Sequence, residues 1–61
     1  MKCSELLRLI LKDGWEVVST KGSHVKLKHP EKPGVIIFPD HGTHEMGKGL
    51  EKKIRKDAGL K

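Results

Sequence analysis

Residues 21–30, "KGSHVKLKHP", hold the chain's densest set of groups able to act on another molecule. His24 follows Gly-Ser, and lysines stand at every second position after it, Lys26 and Lys28. Side chains alternate across a strand, so all three line one face if this segment is extended. A row of positive and protonatable groups calls for an anion. Imidazole accepts and donates protons near neutral pH. Cations beside it would hold a phosphate and stabilise charge growing on phosphorus. The pattern is an acid–base group next to a phosphate clamp. The plainer alternative is that His24 merely starts a strand and hydrogen-bonds the turn.

What such a face could cut follows from what the chain lacks. DNA cleavage generally needs a water nucleophile, prepared by metal ions on clustered carboxylates. The eight carboxylates here are scattered, mostly beside lysines. RNA carries its own nucleophile, the 2′-hydroxyl, so a proton acceptor and cations suffice for an internal transfer. RNA is therefore the expected substrate, with His24 catalytic and Ser23, Lys26 and Lys28 at the RNA; no DNA target is expected of the chain by itself, and no metal or cofactor. The rivals are an RNA-binding module that never cuts and a zinc-dependent or structural partner subunit. The zinc version would use the H-x-x-H of His41 and His44 beside Asp40, with a further ligand from Cys3 or a carboxylate. That spacing fits no four-ligand frame, and a polar turn is the simpler description. His29 has the wrong parity for the row and belongs on the inner face or in a loop.

The elements that must position these groups can be read along the chain. Ser4 is a good N-cap for "ELLRLILKDG", with Cys3, Leu6, Leu7, Ile10 and Leu11 on one stripe and Glu5, Arg8 and Lys12 opposite. Gly14 ends this helix in a left-handed conformation, letting Trp15 pack back on Ile10. "WEVVST" reads as a strand from Trp15 to about Thr20, "KGS" as a turn, and "HVKLKH" as a strand with Val25 and Leu27 inward. The proline-rich "PEKPG" is a loop. "VIIFP" is a third strand, apolar on both faces, so either Val35 and Ile37 or Ile36 and Phe38 lie on the sheet's open face. There a partner, the loops or the Trp15 ring must cover them. A second helix is expected from Met46 or Gly47 to Ala58, its stripe formed by Met46, Leu50, Ile54 and Ala58, with Gly59 and Leu60 repeating the first helix's ending. Lys48, Lys52, Arg55 and Lys56 form a ridge on its far side. Lys21 and the ridge residues Lys48, Lys52 and Arg55 are expected to guide RNA in less specifically. The whole is an α+β fold of order α-β-β-β-α, a three-stranded antiparallel sheet with two helices on one face.

Bulk properties agree. Thirteen Lys and Arg against eight Asp and Glu leave +5, and the excess sits in two segments: residues 21–32, with four lysines and one glutamate, and 44–61, with six cations and three anions. Two basic segments on a neutral scaffold are a polyanion footprint. Sixty-one residues make one domain, 1–61, too small for a deep pocket. A single Cys3 makes no internal disulfide, which points to a reducing compartment. "LLRLIL", interrupted by Arg8, is too short for a signal or a membrane span. The expected setting is cytoplasmic, with no membrane partner.

One resemblance covers essentially the whole chain. "DGW" at 13–15, "KGSH" at 21–24, "KHP" at 28–30 and "AGL" at 58–60 together resemble the HicA family of toxin mRNA interferases. The resemblance implies a double-stranded-RNA-binding-domain-like fold, metal-independent cleavage of mRNA, growth arrest, and neutralisation by a HicB-type antitoxin. It also implies that His24, in the Gly-Ser-His motif, is catalytic, the residue parity selects independently. The departures lie in the second helix, "MGKGLEKKIRKDAG". Gly47 stands where the family commonly has Pro, and Glu51 and Arg55 occupy positions often apolar. A helix-interior glycine costs about 1 kcal/mol relative to alanine, so a weak start is expected.

Overall fold

The computed structural model describes residues 1–60. The chain runs α1 (Cys3–Lys12), β1 (Glu16–Lys21), β2 (His24–Lys28), β3 (Val35–Pro39) and α2 (Lys48–Asp57). The strands form one antiparallel sheet in the order β1-β2-β3. Val25, Leu27, Ile36 and Phe38 bury one sheet face against Leu6 and Ile10 of α1 and Ile54 of α2. This is the expected α+β arrangement, and it settles the parity of β3: Ile36 and Phe38 point into the core, Val35 and Ile37 to the open face.

Both helices differ from expectation at their starts. Lys2, not Ser4, is the N-cap of α1, and the Glu5 carboxylate reaches back to accept the Lys2 N–H at 2.9 Å. The next free donors are taken by the loop before α2, Cys3 N–H by the His44 carbonyl and Ser4 N–H by that of Gly42. A helix start can be capped by distant backbone as well as by a side chain, and only the latter shows in sequence. Cys3, Leu6 and Ile10 are buried and Leu7 half-buried, whereas Leu11 is 43% exposed. At about 100° per residue Leu11 lies on the flank of a stripe centred on Ile10.

Helix α2 begins at Lys48, with Gly47 extended at the N-cap, where glycine is well tolerated. Leu50 is 45% exposed rather than in the stripe; Met46, arriving from the loop with its N–H on the Met1 carbonyl, is buried in the core instead. The atypical pair Glu51 and Arg55 satisfy each other at 3.1 Å, and Arg55 Nη2 rests 3.4 Å from Met1 Sδ.

Trp15 precedes β1 and is buried on the helix side, so it does not cover the open face. The register explains how. Val17 pairs with Leu27 but Ser19 with Lys26, leaving Val18 as an extra residue in a bulge. A bulge reverses the in–out alternation, so Trp15 faces the core while Lys21, an even number of residues away, faces out.

The motif triplets meet at one end of the molecule. Gly14 and Gly59 both have positive φ, and in each case the next N–H bonds the carbonyl five residues back, Trp15 to Ile10 and Leu60 to Arg55. Trp15 Nε1–H donates to the Ala58 carbonyl at 3.1 Å, and Lys32 Nζ donates to the same oxygen at 3.0 Å and to the Asp13 carboxylate. His29, its side chain 7% exposed, stands edge-on to the Trp15 ring. Its Nδ1 accepts the Glu31 N–H, which leaves Nε2–H to donate to the Asp13 carbonyl at 3.0 Å. His29 is thus a structural crosspiece in the loop after β2.

Two measurements test this end of the fold. A Cβ at Gly14 would lie 2.8 Å from His29 Nε2 on a backbone at φ +112°, so Gly14→Ala should cost roughly 2 kcal/mol or more in a urea titration. The Lys32 ammonium holds the Asp13 carboxyl below its ordinary range. Its contribution is therefore present above the ordinary carboxylate range and lost as pH falls through the depressed value. Urea midpoints followed downward from pH 6 should show Asp13→Asn converging on the unaltered chain in acid.

Candidate functional site: the open sheet face

Gly22 and Ser23 form a two-residue hairpin turn with positive φ at Gly22 alone, the pattern of a type II′ turn. The turn makes His24 the first residue of β2 and sets it directly across from Lys21. On its other side His24 pairs with Pro39. The bare face is therefore built in rungs. Lys21, His24 and Pro39 make the first; Ser19, Lys26 and Ile37 the second; Glu16, Lys28 and Val35 the third. The alternation in β2 is complete, with His24, Lys26 and Lys28 exposed and Val25 and Leu27 buried.

Three cations elsewhere are committed to carboxylates. Lys32 is held by Asp13, Lys53 by Asp57 and Arg55 by Glu51. Among the described residues, Lys21, Lys26 and Lys28 form no ion pair within 4.0 Å. Charges left unpaired on a face lacking bulky cover remain available to a polyanion. Next to them Val35 and Ile37 expose 43% and 56% of their surface, an apolar strip alongside the lysine row.

The turn carrying His24 is braced from below. Asp40 N–H donates to the Ser23 carbonyl at 2.7 Å, extending the β2–β3 ladder one rung past β3. The Asp40 carboxylate accepts the Gly42 N–H at 3.1 Å, and Gly42 and His44 carbonyls cap α1. Thus the Ser23 backbone is tied through one short loop to the start of the first helix. Sequence reasoning missed this brace, and only the Asp–x–Gly spacing of the loop hints at it.

The structure sets Lys21, His24, Lys26 and Lys28 along one face of the sheet, from the hairpin to the far end of β2, with Ser23 in the turn. It does not bring Lys48, Lys52 and Arg55 there. Helix α2 packs on the opposite sheet face through Ile54, with Lys48 and Lys52 exposed on the helical layer and Arg55 committed to Glu51. The rings of His41 and His44 lie 6.5 Å apart on the exposed loop. No group of three or more His, Cys, Asp or Glu placed to hold a metal ion occurs among the described residues.

Order α-β-β-β-α, both helices on one side and a cationic sheet face on the other, defines a double-stranded-RNA-binding-domain-like α+β protein. Residues 3–60 match the family described as the HicA toxin of bacterial toxin–antitoxin systems. The chain is also similar to a probable mRNA interferase HicA of Pseudomonas fluorescens (strain Pf0-1), 49% identical over 61 residues that cover all of this chain and 98% of the relative. It belongs to the HicA toxin family.

Proposed function

We propose that this protein is the toxin of a toxin–antitoxin pair and acts as a metal-independent endoribonuclease on mRNA in the cytoplasm. One observation carries the reading: an exposed imidazole heads β2 on a bare sheet face that presents two lysines of the same strand and Lys21 of β1, none in an ion pair among the described residues. Membership of the HicA family and the similarity to a protein named as an mRNA interferase support it.

In this reading an RNA strand lies along β2. His24 takes the proton from the 2′-hydroxyl as that oxygen attacks the neighbouring phosphorus. Lys26 follows two positions along the strand, ~7 Å away, and Lys28 another ~7 Å beyond, so each meets a successive phosphate rather than the same one. Lys21, across the hairpin from His24, neutralises charge at the reacting phosphate. Ser23 shapes the turn and lines the approach. Lys48, Lys52 and Arg55, on the helical layer, contribute only long-range attraction, Arg55 least because Glu51 already pairs with it.

The same face suits an antitoxin of the HicB type. A protein covering it would bury the apolar strip of Val35 and Ile37 and occlude His24 in one contact, with acidic groups expected opposite Lys26 and Lys28. No helix among the described residues is long and apolar enough to cross a membrane.

RNA incubated with the purified protein in EDTA should be cut, and His24→Ala should lower the rate by roughly 10²–10⁴-fold. Uncut RNA in the unaltered-chain lane would instead mark a binding module. Each phosphate-contacting lysine removed should reduce the log–log salt slope of RNA affinity by about 1. Lys26→Ala/Lys28→Ala should therefore flatten it by about 2, and Lys52→Ala by much less, as titrations at several salt concentrations would show.

A further inference from the structure

An in-line transfer needs two proton movements, one from the attacking 2′-oxygen and one to the departing 5′-oxygen. The proposed reading assigns only the first. We infer that His41 supplies the second. The ladder bond from Asp40 N–H to the Ser23 carbonyl continues the β2–β3 register one rung beyond Pro39 and His24. His41 is the next residue, at the head of the loop that the Asp40 carboxylate folds onto the Gly42 N–H. His41 stands two residues past Pro39, the strand partner of His24, and a continued pairing would make the two histidines diagonal neighbours with Cα atoms about 7–8 Å apart. Two imidazoles at that separation fit on either side of one phosphorus.

The loop holding His41 is pinned on both flanks. Asp40 is fixed by Ser23 and by its own carboxylate on Gly42 N–H. His44 N–H donates to the His41 carbonyl, and the carbonyls of Gly42 and His44 cap α1. Among the described residues the His41 ring itself makes no hydrogen bond. A positioned loop thus presents an exposed, uncommitted imidazole beside the turn that presents His24. The titratable and charged groups of its own loop and of the elements bonded to it are Asp40, His44 and Glu45, Lys2 and Glu5 at the start of α1, and Lys21 and His24 on the hairpin.

The step balances as follows. The 2′-oxygen bonds to phosphorus as its proton passes to neutral His24. The bond from phosphorus to the 5′-oxygen breaks, and that oxygen leaves with a proton from the His41 imidazolium. The products are a 2′,3′-cyclic phosphate and a 5′-hydroxyl, and exchange with water resets both rings.

This inference rests on the nuclease reading, and one experiment separates them. A short RNA is made with either an ordinary 5′-oxygen or a bridging 5′-sulfur at the cleaved linkage, because a thiolate leaves without a proton. On ordinary RNA, His41→Ala should lose roughly 10²-fold or more and the acid-dependent limb of its pH profile. On the sulfur substrate it should cut within a few-fold of the unaltered chain, while His24→Ala stays impaired on both and His44→Ala on neither. Equal cutting of ordinary RNA by His41→Ala and the unaltered chain overturns the inference. So does the same deficit on both substrates, which would mean a merely structural role. Failure of the unaltered chain to cut either substrate would overturn the nuclease reading instead.

Discussion

A single backbone oxygen, the carbonyl of Ala58 at the end of α2, joins parts of the chain far apart in sequence. It accepts the Trp15 indole N–H and the Lys32 ammonium together. The last carbonyls of a helix have no partner within it and carry the negative end of its dipole, so a cation and a strong neutral donor are the groups such a site favours. Trp15 belongs to the segment leaving α1, and Lys32 to the loop between β2 and β3. The bond therefore closes both helices and the sheet around a core whose largest fully buried side chains are Phe38, Leu6, Ile10 and Leu27. Asp13, Gly14 and His29 complete the closure, since His29 approaches so near that only a residue without Cβ fits at 14.

This closure frees the other sheet face from structural duty. The buried halves of β2 and β3 meet the helices, and the stabilising charges are spent in pairs: Asp13 with Lys32, Glu51 with Arg55, Asp57 with Lys53. What remains on the bare face is the rung pattern of Lys21, His24, Lys26 and Lys28 beside Val35 and Ile37. The candidate site is a flat sheet face whose character comes from which residues share a rung.

Much of this was legible in the sequence because it depends on local periodicity. The alternation of His24 to Lys28, the two Gly-terminated helices and the short turn at Gly22 are near-neighbour effects, and they place the candidate row unaided. The remainder depends on contacts between distant residues. An all-apolar β3 cannot announce which side is inward, and the helices decide it. Ser4 looked like a cap, yet carbonyls from 42 and 44 take that role. Leu50 fits the stripe of α2 by angle, but Met46 fills the core from the loop. His29 could be excluded from the row by parity, although its partners in Asp13 and Glu31 could not be foreseen. "DGW", "KHP" and "AGL" carry the family resemblance as a set, and in space they are one set of contacts.

The extra residue at Val18 has a consequence for how β1 can vary in length. It stands between two neighbouring pairs, Val17 with Leu27 and Ser19 with Lys26, so the indole and the ammonium take opposite sides across an even separation. Losing Val18 would restore an unbroken alternation and leave Trp15 inward and Lys21 facing the imidazole, whereas losing one residue more would turn one of the two over. The strand therefore absorbs a change of one residue only at the bulge, which makes the hairpin a ruler with one adjustable mark between the indole and the imidazole.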